Sequence, residues 1–166
     1  MHTLKSIENL VAAYIAKNFD ETAAQKKYTA HGLIRSFELD EVDFLKLYSQ
    51  AKNGLETFSE MLMRLIEESG EKNSVIYKRA NIDRRHFSKV ANHVDYQPTK
   101  QTVLAFALAL KLNFERTKTL LAVAGFSLTK SNLADVIVSF FIEYKIFDVN
   151  LVNQILYKYK QPLLGG

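Results

Sequence analysis

The chain of 166 residues contains no cysteine, six glycines and two prolines. The missing cysteine excludes a disulfide scaffold, a thiolate zinc centre and a cysteine nucleophile, and it fits a reducing cytoplasm, the expected location. Scarce glycine and proline leave few turn signals, which points to long helices and away from a many-turned β fold. No run of about 18 apolar residues is present, so no membrane-spanning helix is expected. The N-terminal stretch MHTLKSIENLVAAYIAKNFD has a short apolar run, but Glu8 interrupts it and no small-residue cleavage site follows. It reads as an amphipathic helix and not as a leader. A glycine-rich phosphate loop, a paired-histidine metal helix and a nucleophile elbow are also missing, so neither an enzyme nor a cofactor is expected. His31 and His93 lack partner ligands at metal spacing, and Glu67, Glu68 and Glu71 read as a solvated helix end.

What remains is 48% hydrophobic, enough for a real core, and its patterning is helical throughout. Leu4, Ile7, Leu10, Val11, Tyr14 and Ile15 form a one-sided stripe over residues 3–18. Asp20 can cap a helix running to about Phe37, and Asp40 opens another with Val42, Phe44 and Leu45 on its apolar face. Thr57, with Glu60 three residues on, makes a capping box before Phe58, Met61, Leu62, Leu65 and Ile66. Short helices follow at Ser74–Ala80 and Asp83–Asn92. Pro98 and Thr99 then lead into KQTVLAFALALKL, apolar on nearly every side and read as a buried central helix. Asn113 caps the next helix, and two more cover residues 131–146 and the stretch after Asp148. The fold class is therefore all-α, with a soft seam near Gly54. Phe140 and Phe141 suit a core or a dimer interface. Tyr157, Lys158, Tyr159 and Lys160 alternate aromatic and basic, which suits stacking on nucleic acid or, more simply, a helix burying one face. The terminal Leu163-Leu164-Gly165-Gly166 invites comparison with modifier proteins ending in two glycines, against which a helical body speaks.

The net charge of +4 conceals an asymmetry, because residues 36–71 carry −6 and residues 72–130 carry +8. A basic block beside an acidic one suggests a face meant for a polyanion. The block coincides with a motif. Ile76 and Ala80 are the apolar positions of one short helix and Phe87 and Val90 those of the next, with Ile82 plugging the corner. Asn81 stands where the chain reverses and tolerates positive φ, and Asp83 caps the second helix. With Phe87 and Val90 inward, Arg84, Arg85, Ser88, Lys89 and Asn92 point away from the core. Two arginines in a first turn oppose the helix dipole, which favours a ligand-facing purpose over a stabilising one. His86, between them and the core, suits either a phosphate contact or an ordinary surface position.

VIYKRANIDRRHFSKV followed by QPTKQTVLAFALALKLNFERTKTLL resembles the Xre or lambda-repressor-like helix-turn-helix domain of bacterial and phage regulators. The resemblance implies a lambda-repressor-like five-helix bundle over residues 56–126; outside it the helical pattern alone gives an N-terminal helical segment over 1–55 and a C-terminal extension over 127–166 for packing or dimerisation. The resemblance also implies a sequence-specific transcriptional regulator that binds double-stranded DNA as a homodimer, with helix 83–92 in the major groove. Carried over by position, Arg84, Arg85, Ser88 and Lys89 read bases, and Asn73, Ser74 and Asn92 meet phosphates. Charge alone adds Lys72, Lys78 and Lys100 to the phosphate contacts. The family has a small residue where Tyr77 stands and glycine where Asn81 stands. A ring at position 77 would splay the two helices or turn outward. That departure leaves open an alternative, a protein-interaction module that reuses the frame to hold a toxin, a phage-defence effector or an anti-repressor through residues 1–55.

Overall fold

A computed structural model describes residues 4–20 and 56–165, and within them every regular element is a helix. In chain order these are α1 (Leu4–Asn18), α2 (Phe58–Ser69), α3 (Asn73–Arg79), α4 (Arg84–Asn92), α5 (Lys100–Ala109), α6 (Phe114–Val123), α7 (Leu133–Glu143) and α8 (Val149–Lys158). The all-α expectation holds for these residues. The helices expected after Asp20 and after Asp40 lie outside them. No helix among the described residues is long and apolar enough to cross a membrane.

Side chains set most of the helix starts. Thr57 and Glu60 form the reciprocal capping box before α2, and Asp83 accepts from the amides of Arg85 and His86 at the start of α4. Thr99, Asn113, Asn132 and Asp148 cap α5, α6, α7 and α8 in the same way.

The expectation of long helices is corrected: the elements run from 7 to 15 residues. Helices stop often in spite of the scarce glycine because other residues take the left-handed position after the last turn. Asn81, Lys111, Lys145 and Lys160 have φ of 55°, 53°, 55° and 54°. At each, the amide of the following residue reaches back to a carbonyl five residues earlier, as in Ile82 N–H to Tyr77 O at 2.9 Å and Leu112 N–H to Ala107 O at 3.0 Å. This is the Schellman closure, which satisfies carbonyls that would otherwise be orphaned.

α5 is the axis of the bundle. Every residue from Thr102 to Leu110 is buried, as its all-round apolar sequence requires, and α3, α6 and α8 pack against it. α2 lies on α4 and α6, while α7 links α6, α8 and α1. One continuous core runs from Ile7 and Val11 of α1 through Phe106 of α5 to Ile155 and Leu156 of α8. Phe140 and Phe141 belong to that core, where Phe140 meets Tyr14 edge-on at 5.4 Å. Burial of an aromatic ring such as Phe106 contributes about 1.5–3 kcal/mol.

Ion pairs distant in sequence join the elements. Lys100 Nζ lies 2.6 Å from the carboxylate of Asp135, which is only 2% exposed and also accepts from the amide and hydroxyl of Thr129. Glu68 of α2 binds both Arg64 and Arg116 of α6. Arg79 donates to Glu71 and to the carbonyl of Ala109, fastening α3 to the end of α5.

Candidate nucleic-acid interface

The turn between α3 and α4 has the form its residues suggested. Ile76, Ala80, Ile82, Phe87 and Val90 are all buried, and Asn81 takes the positive φ. Tyr77 does not leave the pair unpacked. Its ring lies tilted over Phe87 with centroids 5.2 Å apart, and Phe87 in turn meets Phe106 of α5 at 6.2 Å. The large residue extends the core outward instead of wedging the helices apart, and the backbone bonds across the reversal are intact.

α4 stands as a ridge with a cleft on each flank. Its inner side holds Phe87 and Val90, and its outer side carries Arg84, Arg85, Ser88 and Lys89, all exposed. One cleft, of about 750 Å³, brings Lys72, Asn73 and Ser74 of the α3 start together with Arg84, Ser88 and Asn92. Six residues singled out from sequence therefore line a single groove. Within it Asn92 donates to the carbonyl and hydroxyl of Ser88, so both side chains are already held in place. The other cleft, of about 790 Å³, is lined by Asp83, Arg84, Arg85, His86, Lys89 and Tyr96. Arg84 faces both. The Asp83 carboxyl is held below the usual carboxylate range, first by the amide of His86 and then by that of Arg85, so the cap stays charged at neutral pH.

Eight of the eleven cations in the basic block fall into two groups, and the other three, Lys78, Lys111 and Lys130, form no ion pair among the described residues and line neither cleft. Arg79, Lys100, Arg116 and Lys118 are each matched by a carboxylate, namely Glu71, Asp135, Glu68 and Glu115. Lys72, Arg84, Arg85 and Lys89 make no ion pair among the described residues, and all four line the clefts beside α4. Two positions expected to meet phosphate lie elsewhere. Lys100 is committed inward to Asp135 because the start of α5 abuts α7, and this pair draws its ammonium away from the surface. Lys78 is exposed on α3 but lines neither cleft. Of the alternating aromatic and basic residues at the end of α8, Lys158 pairs with Glu8 of α1, Tyr159 packs on the core and Tyr157 is exposed.

Sequence reasoning missed two features. His86 and Tyr96 are joined by a hydrogen bond of 2.7 Å, which welds the first turn of α4 to the loop that follows it. The C-terminal tail also returns to the turn. Leu164 is buried and exchanges two hydrogen bonds with Asn153, at 3.0 and 2.8 Å. Gly165 then passes so close to Asn81 that a Cβ there would lie 2.8 Å from the Asn81 carbonyl oxygen. Neither feature has a local signature, since each joins residues brought together only by packing. Among the described residues no three His, Asp or Glu side chains gather as metal ligands. Comparison of the chain with protein-family models, with curated proteins and with solved structures finds no match.

Proposed function

We propose that the protein is a sequence-specific DNA-binding regulator of the lambda-repressor-like kind, acting as a homodimer with α4 in the major groove. The observation that supports this most is the sorting of positive charge. Four cations of the basic block, Arg79, Lys100, Arg116 and Lys118, are paired with carboxylates, whereas Lys72, Arg84, Arg85 and Lys89 have no ion pair among the described residues and gather in the clefts beside a single exposed helix. Charge left uncompensated on a rigid ridge suits a polyanion whose strands lie on either side of that ridge.

In this reading Arg84 and Arg85, in the first turn of α4, reach base edges, where a guanidinium matches guanine O6 and N7 with two parallel hydrogen bonds. Ser88 and Lys89 contact bases further along. Lys72, Asn73, Ser74 and Asn92 hold phosphates of one strand and set the register without reading sequence. The Tyr77–Phe87–Phe106 contacts seat the inner face of α4 on the core, so the backbone that carries the arginines is in place before binding.

Selection of bound sites from a random duplex pool, followed by titration across a salt series, tests the reading. Arg84→Ala and Arg85→Ala should each lose about 1–3 kcal/mol of binding to the selected site and relax its base preference. Lys72→Ala should weaken all sequences alike and make the salt dependence shallower by about one. Equal affinity of wild type and the double arginine variant for the selected site, at every salt concentration, would overturn it.

A further inference from the structure

We propose that His86 and Tyr96, at the outer edge of the cleft they share with Arg85 and Lys89, form a second seat for backbone phosphate, on the strand opposite the one met by Lys72 and Asn73, and that its grip tightens when His86 is protonated. The proposal rests on the DNA-binding reading and adds to it the second strand, a tyrosine contact and a regulating proton.

The geometry supplies the first part. A helix lying in a groove about 12 Å wide has a phosphate strand along each flank. The cleft with Lys72, Asn73 and Ser74 faces one flank of α4, and the cleft with Arg85, His86, Lys89 and Tyr96 faces the other. Arg85 and Lys89 are one helical turn apart, so their charges stand along the same side of the helix.

The hydrogen bond between His86 Nε2 and the Tyr96 hydroxyl, 2.7 Å long, supplies the second part. Burial pushes the Tyr96 phenol up, so the hydroxyl keeps its proton at neutral pH. With His86 neutral and Nε2 bare, the tyrosine proton points at the imidazole and is unavailable to a ligand. Once Nε2 gains a proton it donates to the Tyr96 oxygen instead, the bond reverses, and the tyrosine proton turns to the cleft. One protonation therefore adds a positive charge and releases a hydroxyl donor, both of which a phosphate oxygen accepts.

Asp83, held ionised by the amides of His86 and Arg85, and the cations Arg84, Arg85 and Lys89 share the cleft with the imidazole, and His93 and Asp95 precede Tyr96 along the loop. The helices packed on α4, α2 and α3, contribute no side chain to the lining of this cleft. A phosphate seated against His86 and Tyr96 attracts the ring's positive charge, so DNA and proton bind together.

The test is the affinity of the full chain for mixed-sequence duplex DNA from about pH 8 to about pH 6, the range in which histidine takes up its proton. Wild type should tighten by about tenfold as pH falls, one charge-assisted contact being gained. His86→Gln should be weak and flat across the range. His86→Lys, with its permanent charge, should bind at the upper pH as tightly as wild type does at the lower. Helix content and melting temperature of each variant are compared first. An equal pH dependence in wild type and His86→Gln, or weak binding by His86→Lys, overturns the seat and leaves the DNA reading standing. Absence of duplex binding by wild type at low salt, at either pH, overturns both.

Discussion

Four non-glycine residues, Asn81, Lys111, Lys145 and Lys160, hold left-handed backbone conformations at helix ends. For a residue with a Cβ that conformation costs about 1–2 kcal/mol, and glycine there regains part of it after its own larger entropy loss. The lysine charges beside the last carbonyls return a few tenths of a kcal/mol. Lys111→Gly, Lys145→Gly and Lys160→Gly are each expected to stabilise the fold by about 0.5 kcal/mol, and to add because the sites share no partners. A rise in urea midpoint with an unchanged slope checks this. Asn81 is different, since its side-chain Nδ2 also donates to Asn150 Oδ1 at 2.8 Å and its backbone carbonyl faces Gly165. Replacement there removes a contact as well as strain. These positions were hidden in the sequence because lysine is an ordinary helix and surface residue. Asn81 was visible because it stands between two short apolar helical patterns, and asparagine accepts positive φ better than any residue except glycine.

Helix starts and helix ends differ in how far sequence reveals them. A start is marked by a short polar side chain that bonds an amide two or three residues on, so Thr57, Asp83 and Asn113 could be identified directly. In the α2 box the Thr57 hydroxyl accepts from the Glu60 amide at 3.3 Å, and Glu60 accepts from the Thr57 amide at 2.8 Å. Thr57→Ala should destabilise the fold by about 1 kcal/mol, read from chemical denaturation, because the Glu60 amide at the start of α2 loses its acceptor. An end closes on backbone groups alone, which is why expected long helices prove short. The α4 helix joins both kinds of signal. Its cap, its inward pair Phe87 and Val90 and its outward arginines follow from spacing within nine residues. What anchors it, the contact of Phe87 with Phe106 and the bond of His86 to Tyr96, does not.

Over the whole molecule, carboxylates hold the seams. Arg64 holds Glu56 below the usual carboxylate range, Arg116 and then Arg64 lower Glu68, and Arg79 lowers Glu71. The amides of Thr57 and His86 do the same for Glu60 and Asp83. Each group has a lower pKa folded than unfolded, so its contribution is present above the unfolded value and disappears as pH falls through the folded one. The melting temperature should therefore be level through neutral pH and fall below about pH 4, the range of free carboxylates. A melting temperature that rises on acidification contradicts this. By itself the sequence determined that the chain is helical where described, that residues 100–112 run through the centre and that α4 turns Arg84, Arg85, Ser88 and Lys89 outward. These follow from periodicity and capping, which act between residues a few positions apart. Only the tertiary structure decided which cations are neutralised, because Lys100 meets Asp135 across 35 residues and Arg116 meets Glu68 across 48. It likewise decided that Tyr77 packs against the core, that the C-terminal tail rests on the turn and that Tyr96 bonds to His86 in the cleft. Such contacts depend on how helices pack, and a basic block in sequence becomes a charged face only once packing has removed the cations that serve the fold.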